Sequence, residues 1–208
     1  MFSNSKSLSR FIPALAATVG ALALVPAGAL ASTTWFGSSL NHDPANAGST
    51  CAQDGVMGSS LCTHVGSFYP GFSGRAGSPV NGTIIAFKVR AEGPTKMTFR
   101  VVEVRHLSSN HRSAQAKTVV KGPTVHVQGP SQTDINNGTD RNETFHVHLK
   151  VKKGQEIAID TTSNTAEYCA DGTPGQLLFD PILGLGQNFR HSSGVDGCLM
   201  LVQAVVKH

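Results

Sequence analysis

The stretch "ETFHVHLKVKKGQEIAID", Glu143 to Asp160, decides the fold because its apolar and polar residues alternate. Successive side chains of a β-strand point to opposite faces of the sheet. One face of the first strand is apolar and is expected to lie in a core: Phe145, Val147, Leu149 and Val151. The other face is polar and is expected to meet solvent: His146, His148, Lys150 and Lys152. The pattern predicts a hairpin that turns at Gly154 into the strand "QEIAID".

A period of two also governs the segments before this stretch. In "GTIIAFKVRA", residues 82–91, the residues expected to point inward are Ile85, Phe87, Val89 and Ala91. "TKMTFRVVEVRH", residues 95–106, alternates until Val101 and Val102, where the apolar register shifts. Such a shift predicts either a β-bulge or a strand that is buried on both faces.

Further runs bring the expected strands to eight or nine. The other candidates are "KTVVKG", "TVHVQG", "QLLFD" and "CLMLVQAVVK", with weaker signals in "TTWFG" and "HVGSFY". Clusters of Gly, Pro, Asn and Ser separate them, and no segment has a sustained helical period. The sequence therefore predicts an all-β protein, an antiparallel β-sandwich whose long connections favour a jelly-roll-like topology over a meander.

The layout of residues 82–162 resembles that of uncharacterised secreted bacterial β-sandwich proteins of the jelly-roll-like kind. It comprises "GTIIAFKVR" and "FRVVEV", followed by "FHVHLKVKKGQEIAID". In those proteins a strand ending in V-x-x-G, here Val151 to Gly154, turns tightly into a strand like "QEIAI". The resemblance implies a fold and carries over no functional residue.

The first 31 residues have the pattern of a signal peptide. Lys6 and Arg10 precede an Ala-rich apolar run, and Ala29-Leu30-Ala31 is the small-x-small sequence after which signal peptidase cuts. Residues 32–208 are then expected to form one secreted, extracellular domain, whose residues 32–80 are rich in loops. Cleavage would lower the formal charge from +4 to +2. That balance argues against nucleic acid as a partner, and no later segment is apolar enough for a stable membrane span.

Four cysteines lie after the predicted cleavage site: Cys51, Cys62, Cys169 and Cys198. An even number in an exported chain predicts two disulfides, for which three connectivities exist. Pairing between sequence neighbours favours Cys51–Cys62 and Cys169–Cys198. A zinc site is disfavoured because the chain has no CxxC spacing.

His146 and His148 could form half of a transition-metal site, because both imidazoles project from the same face of a strand. The best third ligand is His126 in "TVHVQ". In a cupin a glutamate follows the His-x-His pair, whereas Lys152 and Lys153 occupy those positions here. Since a cation opposes a divalent metal, a solvated polar face is the favoured interpretation.

Loop carboxylates offer a second candidate metal site, for calcium. Glu167 and Asp171 in "EYCADGT" would approach Asp196 in "GVDG" if Cys169 bonds Cys198. Asp-Gly sequences also form ordinary turns, so this site competes with a structural interpretation. The preferred expectation is that the protein has no cofactor, with calcium as the possible one.

One loop suits contact with a ligand. "SFYPGFSGR" brings together Phe68, Tyr69, Phe72 and Arg75, although its phenylalanines could instead anchor the loop to the core. The sequence lacks a G-x-S-x-G elbow and an evident acid/base pair of carboxylates, so we predict no catalytic residue. The expected function is non-catalytic binding or a structural role at the cell exterior, with a glycan or a surface protein as partner. A metal-dependent, His-based extracellular enzyme or metal-binding protein is the alternative.

Overall fold

Two antiparallel β-sheets pack face to face and enclose an apolar core. The computed structural model describes residues 31–44, 61–66, 74–131, 133–134, 142–162, 165–169 and 175–208. Within these residues the strands are β1 (Thr33–Ser38), β2 (Cys62–Gly66), β3 (Gly74–Arg75), β4 (Gly82–Arg90), β5 (Thr95–Arg105), β6 (Gln115–Val127), β7 (Asn142–Val151), β8 (Glu156–Thr161), β9 (Glu167–Cys169), β10 (Gln176–Phe179), β11 (Arg190–His191), β12 (Gly194–Asp196), β13 (Cys198–Met200) and β14 (Val202–Lys207).

The five-stranded sheet has the order β3-β1-β14-β4-β7, and the seven-stranded sheet has the order β11-β6-β5-β8-β2-β10-β12. Strands β9 and β13 form a separate pair. Phe87 of the first sheet stacks on Phe99 of the second, with ring centroids 4.1 Å apart. The antiparallel β-sandwich predicted from the sequence is confirmed at this level, while the jelly-roll topology stays a prediction.

The predicted hairpin at Gly154 is wrong, because β7 and β8 belong to different sheets. β7 pairs with β4, whereas β8 pairs with β2 and β5. The turn is where predicted, and Gly154 adopts a φ of 85° that favours glycine. The chain crosses there from one sheet to the other, so the apolar faces of both strands meet the same core from opposite sides.

The register shift at Val101 and Val102 is confirmed. The pairing of β5 with β6 shifts between these two residues, and both side chains are fully buried. Val101 lies in the core between the sheets, and Val102 lies in a second apolar cluster. A comparable shift in β4 places Ile84 in the main core, where the sequence predicted Ile85.

The second cluster lies on the outer face of the seven-stranded sheet, beneath residues 180–190. Leu183 from this segment is fully buried in it. The Thr118 hydroxyl of β6 donates to the Leu183 carbonyl at 2.6 Å. The Arg190 guanidinium donates to the carbonyls of Asp180, Pro181 and Ile182, which fixes the segment over the sheet. β5 and β8 are consequently covered on both faces.

The predicted number of eight or nine strands is wrong, since the described residues contain 14. Strands β3, β9, β11 and β12 have only two or three residues and give no readable alternation. "KTVVKG" and "TVHVQG" form the single long strand β6, whereas the closing run divides into β13 and β14 at Leu201.

One disulfide, Cys169–Cys198, is described where two were predicted. Cys51 lies outside the described residues, and so does the predicted Cys51–Cys62 bond. No cysteine among the described residues carries a free thiol.

Residues 1–30 of the predicted signal peptide also lie outside the described part of the chain. Residues 31–208 form one compact unit. In the part of the chain that is described, no helix is long and apolar enough to cross a membrane.

Candidate functional site

A groove of about 900 Å³ opens where the two sheets separate at one end of the sandwich. Its apolar lining residues are Val119, Val120 and Val151. Its other lining residues are polar or charged: Asn81, Gly82, Thr83, Glu103, Lys117, Lys150, Lys152 and Gln155. The volume falls in the range of sites for small molecules and short oligomers.

Three lysines and one glutamate give the groove a formal charge of +2. Lys117 forms an ion pair with Glu103 at 3.2 Å, and Lys150 donates to the Thr83 hydroxyl at 3.1 Å. Lys150 and Lys152 are exposed at the end of β7 and at the following turn. These two ammonium groups are therefore the ones best placed to meet an anion from solvent.

The amide side chains of the groove are held by backbone groups. Asn81 Oδ1 accepts from the Lys153 N–H, and Gln155 Oε1 accepts from the Lys152 N–H, each at 2.8 Å. These bonds use the oxygens and fix the orientation of both amides, so the amide nitrogens are left to donate to a ligand. The groove thus combines oriented amide donors with two exposed lysine ammonium groups.

A second polar site is wholly buried and joins β2, β9, β10 and β12. His64 Nδ1 lies 3.1 Å from Glu167 Oε1 and 3.2 Å from Gln176 Oε1. Gln176 Nε2 donates to Glu167 Oε1 at 2.8 Å and to Asp196 Oδ2 at 3.4 Å. His64 and Glu167 are each 1% exposed. We call these four residues the buried cluster.

The charge state of His64 follows from its neighbours. Burial alone lowers the pKa of His64, but the hydrogen bond to Glu167, the charges of Glu167 and Asp196, and the Gln176 bond together raise it above the usual value. Its other ring nitrogen, Nε2, lies 3.3 Å from Cys62 Sγ, a weak acceptor. Both ring nitrogens therefore face acceptors, as the protonated imidazolium requires.

The three histidines predicted for a transition metal lie on two different sheets. His146 and His148 are exposed on β7 of the five-stranded sheet, as the alternation predicted. His126 is exposed on β6 of the seven-stranded sheet, beside a cavity of about 620 Å³ that also contacts Lys96 and the buried Asp160. The fold does not bring His126 to the other two, and a metal on these histidines stays a prediction.

The residues predicted for calcium are in part brought together. Glu167 and Asp196 both contact Gln176 in the buried cluster, next to the Cys169–Cys198 disulfide. Asp171 lies outside the described residues. Gln176 Nε2 already donates to both carboxylates, and His64 Nδ1 lies 3.1 Å from Glu167 Oε1. Calcium binding stays a prediction.

The predicted ligand loop is described only at its end. Arg75 is exposed on β3, where it pairs with Gly37. Phe68, Tyr69 and Phe72 lie outside the described residues. The sequence therefore predicted neither the groove nor the buried cluster as a site. It did name Glu167 and Asp196, and it predicted that Lys150 and Lys152 face solvent.

His64 and Gln176 had no signal strong enough to identify them. They are 112 residues apart, and each lies in a short strand that is buried along its length. A histidine in the otherwise uncharged run "CTHVG" was the one available sign of a buried polar partner.

Comparison of the chain with protein-family models, with curated proteins and with solved structures found no match in any of the three. The resemblance to secreted bacterial β-sandwich proteins accordingly stays a prediction.

Proposed function

We propose that the protein is a secreted, non-catalytic binding protein of the cell exterior whose end groove takes an acidic glycan. The observation that carries this proposal is the groove between the sheets, with its formal charge of +2 and its oriented amide and hydroxyl groups. Carboxylate or sulfate groups on a sugar would pair with the lysines, and sugar hydroxyls would bond to Asn81, Thr83 and Gln155.

Neutral sugars are the less suitable class of ligand. Their sites depend on flat aromatic platforms, and the groove lining contains none among the described residues. The ring of Phe189, whose centroid lies 4.5 Å from Lys117 Nζ, is covered by the Arg105 guanidinium at 3.8 Å. Charge must then supply most of the specificity, and binding should weaken as salt is added.

Export is supported by two separate features. Residues 1–31 have the composition of a signal peptide, and a disulfide is compatible with an extracellular protein. A jelly-roll-like sandwich also suits this role, since it presents loops and sheet ends to a ligand while the core stays closed.

The test is calorimetric titration of the mature chain with a short oligogalacturonate and with its neutral galactose counterpart. We expect the acidic oligomer alone to bind, and the double variant Lys150→Ala with Lys152→Ala to lower its affinity about tenfold, or about 1.4 kcal/mol. The matched control is Lys121→Ala with Lys207→Ala, which removes two exposed lysines outside the groove. Equal loss in both double variants, or equal binding of the neutral oligomer, would overturn the proposal.

A further inference from the structure

Three groups that are typical metal ligands converge beside the buried cluster. A carboxylate oxygen of Glu167 and the sulfur atoms of Cys169 and Cys198 all lie within 4.8 Å of one another. The register explains this convergence. Cys169 pairs directly with Cys198 between β9 and β13, and Glu167 lies two residues earlier on the same face of β9.

Only one of the two carboxylate oxygens of Glu167 has hydrogen-bond partners among the described residues. Its Oε1 accepts from His64 Nδ1 at 3.1 Å and from Gln176 Nε2 at 2.8 Å. Its Oε2 is buried and has no hydrogen-bond partner among the described residues. An unpaired buried carboxylate oxygen is costly, and a metal ion would satisfy it. His64 and Gln176 already hold the carboxylate as outer partners hold a metal ligand.

We propose that reduction of the Cys169–Cys198 disulfide converts this place into a site for a divalent transition metal of the zinc type. An external dithiol or phosphine reductant supplies two electrons and is itself oxidised, the S–S bond breaks, and each sulfur takes a proton. Metal binding then displaces those two protons. The ligands are Glu167 Oε2, Cys169 Sγ and Cys198 Sγ, and a water completes four-coordination.

Charge explains why the oxidised form should not bind the same ion. In the disulfide the two sulfurs are neutral and offer no thiolate to a metal ion. In the reduced form two thiolates and the Glu167 carboxylate supply the negative charge that a divalent transition metal requires. Two thiolates also select zinc or cobalt over calcium and magnesium, which prefer oxygen ligands. Disulfide and metal are then alternative states of one site.

Cobalt(II) serves as the probe, because thiolate ligands give it an intense near-ultraviolet charge-transfer absorption. The full chain carries Cys51→Ala and Cys62→Ala, so that only Cys169 and Cys198 can respond. Reduction with a phosphine, which adds no competing thiol, is expected to yield one cobalt per chain with that absorption. Stoichiometric zinc should bleach it, and the unreduced chain should show none.

Two variants define the ligands. Cys169→Ser should abolish the charge-transfer band, and Glu167→Gln should weaken cobalt binding at least about tenfold. The control is Glu143→Gln, which neutralises a carboxylate on β7, away from the site. If the background variant does not fold, the natural chain is compared with its Cys169→Ser form, since both retain Cys51 and Cys62.

Three results would overturn the proposal. They are the absence of a thiolate band in the reduced chain, an unchanged band in Cys169→Ser, and loss of the near-ultraviolet circular dichroism on reduction that neither cobalt nor zinc restores.

Discussion

Two regions of the molecule place histidines on strands, with opposite outcomes. On β7, His146 and His148 are exposed, and each is flanked along the chain by residues of the opposite face that contact the core. On β2, His64 is 1% exposed and lies among Glu167, Gln176 and Asp196. The first pair was visible in the sequence, and the second site was not.

The difference teaches that a buried histidine is defined by its partners rather than by its strand. Water solvates the histidines of β7 whatever the surrounding residues are. His64 depends on a carboxylate from β9 and an amide from β10, because an unpaired charge in the interior costs several kcal/mol. Substitutions in the two regions should therefore have very different effects on stability.

The largest effect is expected from removing His64. His64→Leu fills a similar volume but leaves the buried Glu167 carboxylate without its cation, and it should lower the free energy of unfolding by about 3–5 kcal/mol. His148→Leu on β7 should change it by less than about 0.5 kcal/mol. Urea unfolding of both variants at pH 7 measures the contrast, and equal losses would contradict it.

The next largest effect on stability concerns the Glu156 carboxyl, whose pKa is shifted by burial alone, in contrast to the hydrogen-bonded carboxylate of Glu167. Burial raises the pKa of Glu156 from its ordinary value of 4.5 to about 8. Between these pH values the unfolded chain loses the Glu156 proton while the folded chain keeps it, so the free energy of unfolding falls as pH rises. Glu156→Gln should remove that fall and add about 2–3 kcal/mol at pH 8, less than the full pKa shift implies, because Glu156 is only half-buried and solvent screens it in part.

The measurement for Glu156 is urea unfolding from pH 4.5 to 8.5. Glu92→Gln, which alters an exposed carboxylate, is the matched control and should retain the slope of the natural chain. A Glu156→Gln profile parallel to that of the natural chain would show that this carboxyl ionises normally in the fold.

The smallest effect concerns the amide that links the buried cluster. Gln176→Met removes hydrogen bonds to His64 and Glu167 and should cost about 1–2 kcal/mol. His64 stabilises the fold fully below about pH 6.5, and this contribution is lost as pH rises through its raised folded pKa. Since Gln176 helps to raise that pKa, the variant should lose the contribution at a lower pH.

Nuclear magnetic resonance titration of the His64 ring protons tests this shift directly. The natural chain, titrated under the same conditions, is the reference. An unchanged His64 midpoint in Gln176→Met would mean that Gln176 positions the ring without affecting its charge.

Local alternation was sufficient to predict much of the fold. It identified the core face of β7, the shift at Val101 and Val102, and the turn at Gly154. It did not predict that β7 and β8 lie in different sheets, because a hairpin and a crossing require the same alternation and the same glycine. The choice depends on which distant strands are available to pair, and that information is not local.

The candidate sites were less accessible to sequence reasoning for the same physical reason. Lys117 and Lys152 are 35 positions apart and become neighbours only when the sheets pack. The proximity of Glu167 to Asp196 could be predicted because a disulfide was expected to join their segments. No predicted disulfide linked the segment of His64 to the segments of Glu167 and Gln176, so their proximity could not be predicted.

The pairing of β1 with β14 brings residues 32 and 208 together, so the order in which the strands follow one another along the chain could be changed by circular permutation. The Ser32 N–H donates to the His208 carbonyl at 3.1 Å, and the His208 N–H donates to the Ser32 carbonyl at 3.0 Å. A short linker between residues 208 and 32 would leave every described strand in place. A circular permutant that begins at the exposed turn 152–155 should then build the same two sheets, since their pairing is independent of where translation starts.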